Sequence, residues 1–186
     1  LMHDAEEHVK EAIENAFPVL AEYRSQGLIK AVGIGINHAE QALQIMKGTD
    51  LDIALIAGRY SLLDQISHRE LFPYALAHNI DISMGGVLNS GVLANPVAGA
   101  TYNYLPASDE IIARAAKIGE FLKARNIPLL AAALQFPLRH PAVTSVLTGP
   151  RTAAELLENV DAFNLELPAD IWAELEDANL IERIPA

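Results

Sequence analysis

Four short apolar runs recur along the chain, and a segment with helical spacing separates each run from the next. The runs cover residues 30–36, 53–57, 80–84 and 143–148. A continuous apolar run is typical of a strand covered on both faces, as in a parallel sheet flanked by helices. We therefore predict an α/β protein with four parallel strands placed consecutively.

The segments between the runs carry helix signals. Residues 6–25 have apolar residues at helical spacing, and Pro18 predicts a kink or a division into two pieces. Ser108 and Thr152 stand where N-caps are expected. The stretch 89–107, rich in glycine and proline, is predicted to be a long loop. The other predicted helices cover 39–46, 71–78, 108–125, 129–138 and 153–163, and a last one follows Asp170.

The length predicts a single domain over residues 1–186. An open doubly wound sheet and part of a (β/α)8 barrel both fit the order of elements. Four strands are few for the first, and a complete barrel needs at least about 200 residues. The first residues, Leu1 to Asp4, resemble the end of a strand, so we expect the chain to begin inside a fold.

Composition restricts the function classes. The net charge of −11 disfavours nucleic-acid binding, because an acidic protein repels phosphate backbones. The sequence has no cysteine, which excludes disulfides and thiolate metal sites and fits a cytoplasmic protein. No apolar run approaches the about 18 residues of a membrane span, and no H-E-x-x-H pattern indicates a metal site. We expect no membrane or nucleic-acid partner.

Ligands bind at the carboxyl ends of the strands in both architectures. After the last run, a Gly149-Pro150 turn leads to Arg151 and then Thr152 at a helix N-terminus. Free backbone N–H groups, the helix dipole and a cation make an anion site there, and phosphate is its natural ligand. An ordinary capped turn with a solvated Arg151 fits the same residues.

Two further features have a structural and a functional reading. Gly33 and Gly35 do not form a dinucleotide fingerprint, because they lie inside a predicted strand and the third glycine position is His38. We expect them to make room for neighbouring chains. His3 could donate a proton or stabilise an oxyanion, although a lone histidine is more often structural.

Four segments occur in order: GLIKAVGIGIN (27–37), RYSLLD (59–64), NSGVLANP (89–96) and TGPRTAAELLENV (148–160). Together they resemble segments of the aldo-keto reductases on or after the fifth to eighth barrel strands. GIGIN, AGRYSLLDQ and NSGVL are similar to the branch of sugar dehydrogenases that oxidises fucose, galactose or threo-aldoses at the anomeric carbon. The resemblance implies an aldo-keto reductase type (β/α)8 TIM barrel, of which only the C-terminal part, strands 5–8 and their helices, is present.

The resemblance also implies site residues. His3 matches the histidine that orients and polarises the substrate oxygen, and Asn37 matches the residue that holds the nicotinamide carboxamide. The family's glutamine that makes a second carboxamide contact is replaced by Ala57. The family's nicotinamide-stacking aromatic would fall near Met84 or Gly85, neither of which is aromatic.

The remaining implied cofactor positions follow the last strand. They are Gly149, Arg151, Thr152, Glu155, Glu158 and Asn159. Arg151 and Thr152 match the pair at the adenosine-side phosphate, and Glu158 and Asn159 match residues near the adenine. Where the family has Gln or Arg, this chain has Glu155, which would repel a 2′-phosphate, so we expect NAD to be preferred over NADP.

The family's catalytic Asp, Tyr and Lys lie in the first half of the barrel, before His3. The expected parent is an oxidoreductase that moves a hydride between NAD(P) and the anomeric carbon of an aldose, or another carbonyl carbon. The N-terminal half of the barrel would be needed for activity. The alternatives are a non-catalytic nucleotide-binding regulatory protein of the same fold, and another (β/α)8 enzyme that binds a phosphorylated substrate.

Overall fold

The computed structural model describes residues 1–184, and five strands in this range form one sheet. Across the sheet they lie in the order β1 (Met2–His3), β2 (Gly33–Ile36), β3 (Ile53–Ala57), β4 (Asp81–Gly85) and β7 (Val143–Val146). Every neighbouring pair in this sheet is parallel, so the prediction of consecutive parallel strands is confirmed. The short additional strand, β1, lies where the first residues were interpreted as a strand end.

The first helical segment is interrupted as Pro18 predicts. It consists of α1 (Val9–Glu11), a π-helical turn (Ala12–Ala16) and α2 (Phe17–Ser25). Pro18 stands in the first turn of α2 and has no N–H to donate to the preceding turn. The wider π turn before it accommodates that missing hydrogen bond.

The other helices agree with the predicted ones to within a few residues. Ser108 and Thr152 both cap as predicted, accepting from the N–H of Ile111 at 3.3 Å and of Glu155 at 3.1 Å. The predicted helix 129–138 ends early, in a 3-10 turn (Phe136–Arg139) that has Pro137 near its start. The helices are α3 (Ala39–Gly48), α4 (Leu71–Ala77), α5 (Asp109–Lys123), α6 (Leu129–Gln135), α7 (Ala153–Phe163) and α8 (Ile171–Asp177).

The predicted loop 89–107 contains regular structure. It starts with a 3-10 turn (Asn89–Gly91) and continues into a small antiparallel hairpin. The hairpin strands are β5 (Thr101–Tyr102) and β6 (Leu105–Pro106), joined by a two-residue turn. The prediction of an irregular loop is therefore wrong for this part of the segment.

The core lies between the sheet and the helices on one of its faces. Along β3 and β4 the buried residues alternate with partly exposed ones. The buried set is Ala54, Ile56, Ile82 and Met84, and the partly exposed set is Ile53, Leu55, Ala57 and Ser83. The interpretation that every strand is covered on both faces is thus wrong for β3 and β4, whose second face is open within residues 1–184.

Gly33 and Gly35 in β2 make room for neighbours, as expected. A Cβ on Gly33 would overlap the Ile53 carbonyl oxygen, and a Cβ on Gly35 would overlap the imidazole of His3. The absence of a side chain at Gly35 therefore allows the His3 ring to lie directly on β2.

An ion pair fixes the amino-terminal end of the sheet. Asp52 precedes β3, a position that predicts a solvated carboxylate, but it accepts the Val32 N–H at 2.6 Å and Arg24 Nη1 at 2.7 Å. Burial by itself would raise the pKa of Asp52, but the Val32 N–H and the Arg24 guanidinium outweigh it and lower that pKa below its ordinary 3.8. Arg24 also contacts Asp50, which is far more exposed.

We expect Asp52→Asn to lower the free energy of unfolding by about 1 kcal/mol at pH 7, a figure already reduced for partial exposure. Because the folded-state pKa is depressed, this stabilisation is present above about pH 4 and is lost as pH falls through the folded-state value. Urea denaturation at pH 7 and pH 3 measures both effects. Asp50→Asn is the control, with a smaller change; equal losses at both pH values would contradict the assignment.

Candidate functional site

A cleft of about 910 Å³ opens at the carboxyl ends of β2, β3, β4 and β7. Its walls are the segments that follow these four strands, together with the first turns of α7. Because all the strands are parallel, their following segments meet at one edge of the sheet. This edge is where the sequence predicts ligand binding.

Six of the seven predicted cofactor residues line the cleft. They are Asn37, Gly149, Arg151, Glu155, Glu158 and Asn159. Thr152 does not line it but caps the N-terminus of α7 beside it. His3 ends β1 and packs on Gly35, outside the cleft lining formed by residues 1–184.

In the turn after β7, the Glu155 carboxylate binds both the backbone N–H and the guanidinium of Arg151. Arg151 Nη2 lies 2.7 Å from Glu155 Oε1, and the Arg151 N–H donates to Glu155 Oε2 at 2.7 Å. The side-chain hydrogen bond from Arg151 is the main cause that lowers the pKa of Glu155. A carboxylate thus occupies the position in which an external anion would meet the Arg151 N–H and the guanidinium. Arg151 is otherwise exposed to solvent.

The backbone of Asn37 is held from both sides. Its N–H donates to Glu6 Oε1 at 2.9 Å, and its carbonyl oxygen accepts from Arg59 Nε at 2.7 Å. Burial favours a raised pKa for Glu6, but the Asn37 N–H and His38 lower it, so the carboxylate form is kept. The side-chain amide of Asn37 makes no hydrogen bond within residues 1–184 and is available at the cleft wall.

Arg59, which the sequence placed after a strand without assigning it a role, joins three segments of the site. Besides Asn37 it contacts Asp64, with Nη1 2.9 Å from Oδ2, and only 19% and 17% of the two side chains are exposed. In the orientation that satisfies its amide, Asn103 Oδ1 lies 3.2 Å from both Nη1 and Nη2 of Arg59. The signal that could have found it is a cation two residues after a strand with an acid five residues later.

Asn89 is a second residue that sequence reasoning missed. It is buried, its Oδ1 accepts from Ser61 Oγ at 2.5 Å, and its Nδ2 donates to the Gly58 carbonyl at 3.3 Å. Its φ of 46° lies in the left-handed region, which asparagine tolerates better than most residues. Asn89 therefore fixes the segment after β4 against the segment after β3.

Aromatic side chains are scarce at the cleft. Met84 is fully buried, Gly85 is also buried, and neither lines the cleft within the described chain. The hairpin contributes Tyr104, which lines the cleft and is 79% exposed. The adjacent Tyr102 is half-buried, and burial is the main cause that raises its pKa.

Residues 1–184 offer neither a metal-binding cluster nor a helix able to span a membrane. No group of three or more His, Asp or Glu side chains in this range could hold a metal ion. None of the helices described above has both the length and the apolar character needed to cross a bilayer.

A family model described as the aldo/keto reductase family matches residues 1–180. The chain belongs to this family. It is 41% identical over 166 residues to a pyridoxal 4-dehydrogenase of Microbacterium luteolum, covering 89% of this chain and 48% of the relative. It is 38% identical over 183 residues to a D-threo-aldose 1-dehydrogenase of a Pseudomonas species, covering 97% and 56%. The chain therefore spans about half the length of these curated relatives.

Solved structures agree on the fold. An aldo-keto reductase of Bacillus halodurans in its holo form superposes with a TM-score of 0.72 at 20% identity, covering 98% of this chain and 57% of that one. An aldo/keto reductase of Klebsiella pneumoniae in complex with NADP and acetate superposes with a TM-score of 0.64 at 15% identity, covering 93% and 56%. The sheet is thus part of an aldo-keto reductase type (β/α)8 barrel, and the predicted family and fold are confirmed.

We expect Arg59→Met to lower the free energy of unfolding by about 2 kcal/mol, because it leaves the Asp64 carboxylate largely buried without its partner. Adding Asp64→Asn removes that charge, so the double variant should lose less than the sum of the two single changes. Urea denaturation measures the cycle. Arg69→Met, which breaks the exposed pair with Glu182, is the control, with a change of about 0.5 kcal/mol or less. Additive losses at Arg59 and Asp64 would show that the two do not interact.

Proposed function

We propose that the protein is an NAD(P)-dependent oxidoreductase that moves a hydride between the cofactor and the anomeric carbon of an aldose, or another carbonyl carbon. One observation carries this proposal. A single cleft joins the side-chain amide of Asn37, which has no partner within residues 1–184, to the turn that carries Arg151 at the N-terminus of α7. The family membership and the two dehydrogenases among the relatives support the same reaction class.

The residues of the cleft fit a nicotinamide dinucleotide. Asn37 would hold the carboxamide through its unpaired amide, and Gly149, Arg151 and Thr152 would hold a phosphate. Glu158 and Asn159 would lie at the adenine. When bound, the cofactor accepts or supplies the hydride, while the protein orients the reacting groups.

His3 would orient the substrate oxygen. The absence of a side chain at Gly35 leaves room for the His3 imidazole against β2. An imidazole N–H so placed can donate a hydrogen bond to a carbonyl or hydroxyl oxygen.

The N-terminal half of the barrel would complete the site. Two surfaces support this proposal: the open face of β3 and β4, and α7, which buries none of its residues within residues 1–184. The apolar side chains that α7 exposes are Leu156, Leu157, Val160 and Phe163. A parallel sheet is ordinarily covered on both faces. The rest of the barrel would cover these surfaces and supply the family's Asp, Tyr and Lys.

We also infer a preference for NAD over NADP. The Glu155 carboxylate lies against Arg151 at the end of the cleft assigned to the adenosine side. It would repel a 2′-phosphate and occupy the guanidinium that such a phosphate would need.

A location in the cytoplasm is further proposed, supported by the cysteine-free sequence. The net charge of −11 supports a small-molecule partner rather than nucleic acid, and no membrane partner is proposed.

We expect the complete protein to bind NADH and to reduce NAD when an aldose is supplied. Asn37→Ala should weaken NADH binding about fivefold to tenfold, because the carboxamide loses its partner. Gln44→Ala, on the exposed side of α3, is the matched control and should leave the NADH Kd unchanged. NADH fluorescence titration and absorbance at saturating sugar measure binding and turnover.

The alternatives predict different outcomes in the same assays. Binding without turnover of any aldose or carbonyl compound would indicate a regulatory nucleotide-binding protein. Failure to bind either dinucleotide would indicate a barrel enzyme that uses the Gly149–Thr152 turn for a phosphorylated substrate. The 186-residue chain alone should give no sugar-dependent NADH, and turnover by it would contradict the need for the N-terminal half.

We expect Glu155→Gln to shift the ratio of kcat/KM for NAD over NADP towards NADP by roughly fivefold, because the repulsion of a 2′-phosphate is removed. Measurements with both cofactors on wild type and variant determine the ratio. Glu158→Gln, one turn further along α7, tests whether any carboxylate in this region has the same effect. A wild type that already prefers NADP, or a ratio unaffected by Glu155→Gln, would contradict the electrostatic argument.

A further inference from the structure

The turn of the β5–β6 hairpin contains a residue that its backbone does not favour. Asn103 and Tyr104 have φ values of 50° and 65°, so both central residues of this two-residue turn are left-handed. Such turns favour Asn followed by Gly. Asparagine fits its position, but a bulky tyrosine carries a steric cost that glycine would avoid. The turn itself therefore does not explain why Tyr104 is present.

Packing does not explain Tyr104 either. The side chain is 79% exposed, whereas Tyr102, two residues earlier, packs against the core. An exposed ring in a strained backbone position contributes little to folding. The residue instead lines the cleft.

The backbone under Tyr104 is nevertheless firmly held. Its N–H donates to Ser90 Oγ at 2.9 Å, and Thr101 Oγ1 donates to the Ser90 carbonyl at 2.6 Å. On the other side, Asn103 meets the guanidinium of Arg59, which also holds Asn37. The hairpin thus presents a tyrosine ring at the cleft wall from a fixed base.

A tyrosine ring on a backbone that is held in this way offers a ligand a flat apolar surface at a small cost in conformational entropy. The strand end at Met84 and Gly85 supplies no aromatic surface to the cleft. We propose that Tyr104 is a ligand-contact residue that stacks on a ring of the dinucleotide bound in the cleft. This inference rests on the proposed function, because it requires that the cleft bind a dinucleotide.

The test uses Tyr104→Gly and Tyr104→Phe in the complete protein, with NADH as the ligand. Tyr104→Gly should raise the Kd for NADH about fivefold or more, because stacking is lost. Its Tm should stay the same or rise by about 2 °C, because the left-handed position is relieved. Tyr104→Phe keeps the ring and should bind NADH within about twofold of wild type.

Asn126→Gly is the matched control, since Asn126 is also left-handed, with a φ of 59°, but does not line the cleft. It should leave the Kd for NADH unchanged. ADP-ribose, which lacks nicotinamide, distinguishes the ring involved. A loss confined to NADH assigns the contact to nicotinamide, and an equal loss for both ligands assigns it to the adenosine half.

The outcomes separate this inference from the proposed function. If wild type binds NADH and Tyr104→Gly binds it equally well, the inference is overturned and the proposed function stands. A weaker Kd together with a lower Tm would indicate a structural role and would also overturn the inference. If wild type binds neither NADH nor NADPH, the proposed function fails and the inference with it.

Discussion

The parallel direction of all five strands is the constraint on which the site depends. Parallel pairing places the segments after β2, β3, β4 and β7 at the same edge of the sheet, although they are far apart in sequence. The close approach of β2 to Ile53 of β3, and of His3 of β1 to β2, requires that Gly33 and Gly35 respectively lack side chains. The direction of the strands by itself therefore determines at which edge of the sheet the cleft lies.

Polar groups then fix the segments relative to one another. Asn89 and Glu6 each connect two segments that follow or precede different strands, and Arg59 connects three. These contacts are buried or partly buried. Hydrogen bonds in such surroundings are strong, and leaving any of the groups unpaired is costly. These contacts connect the loops that form the cleft, whereas the Asn37 amide and the Arg151 side chain remain accessible to a ligand.

The strands, the helices and the helix caps could be predicted because their signals are local. Apolar runs mark β2, β3 and β4, and Ser108 and Thr152 mark two helix starts. The hairpin was missed because its turn is Asn103-Tyr104 rather than the usual Asn-Gly. The open sheet face was missed because an apolar run does not reveal whether both of its faces are covered.

The site residues also divide into those that could be predicted from the sequence and those that could not. The role of Asn37 is implied by the family resemblance alone, and that of the turn after β7 by its residues as well, and the structure brings both to one cleft. The contacts of Arg59 with Asn37 and Asn103, and that of Asn89 with Ser61, join residues 22, 44 and 28 positions apart. No local pattern predicts such pairs, because they depend on the register of the strands that precede them.

The order of the sheet has a consequence for how the chain folds. Strands β1 to β4 are neighbours in space in the order in which they are synthesised, and β7 then adds to β4. Each strand can pair with one already present, so loop closure is short at most steps and folding can follow translation. The helix α7 comes late in this order, and within residues 1–184 its apolar side chains stay exposed to water. Exposed apolar side chains gathered on one helix favour association with another surface, so α7 is the part of the described chain most prone to such contacts.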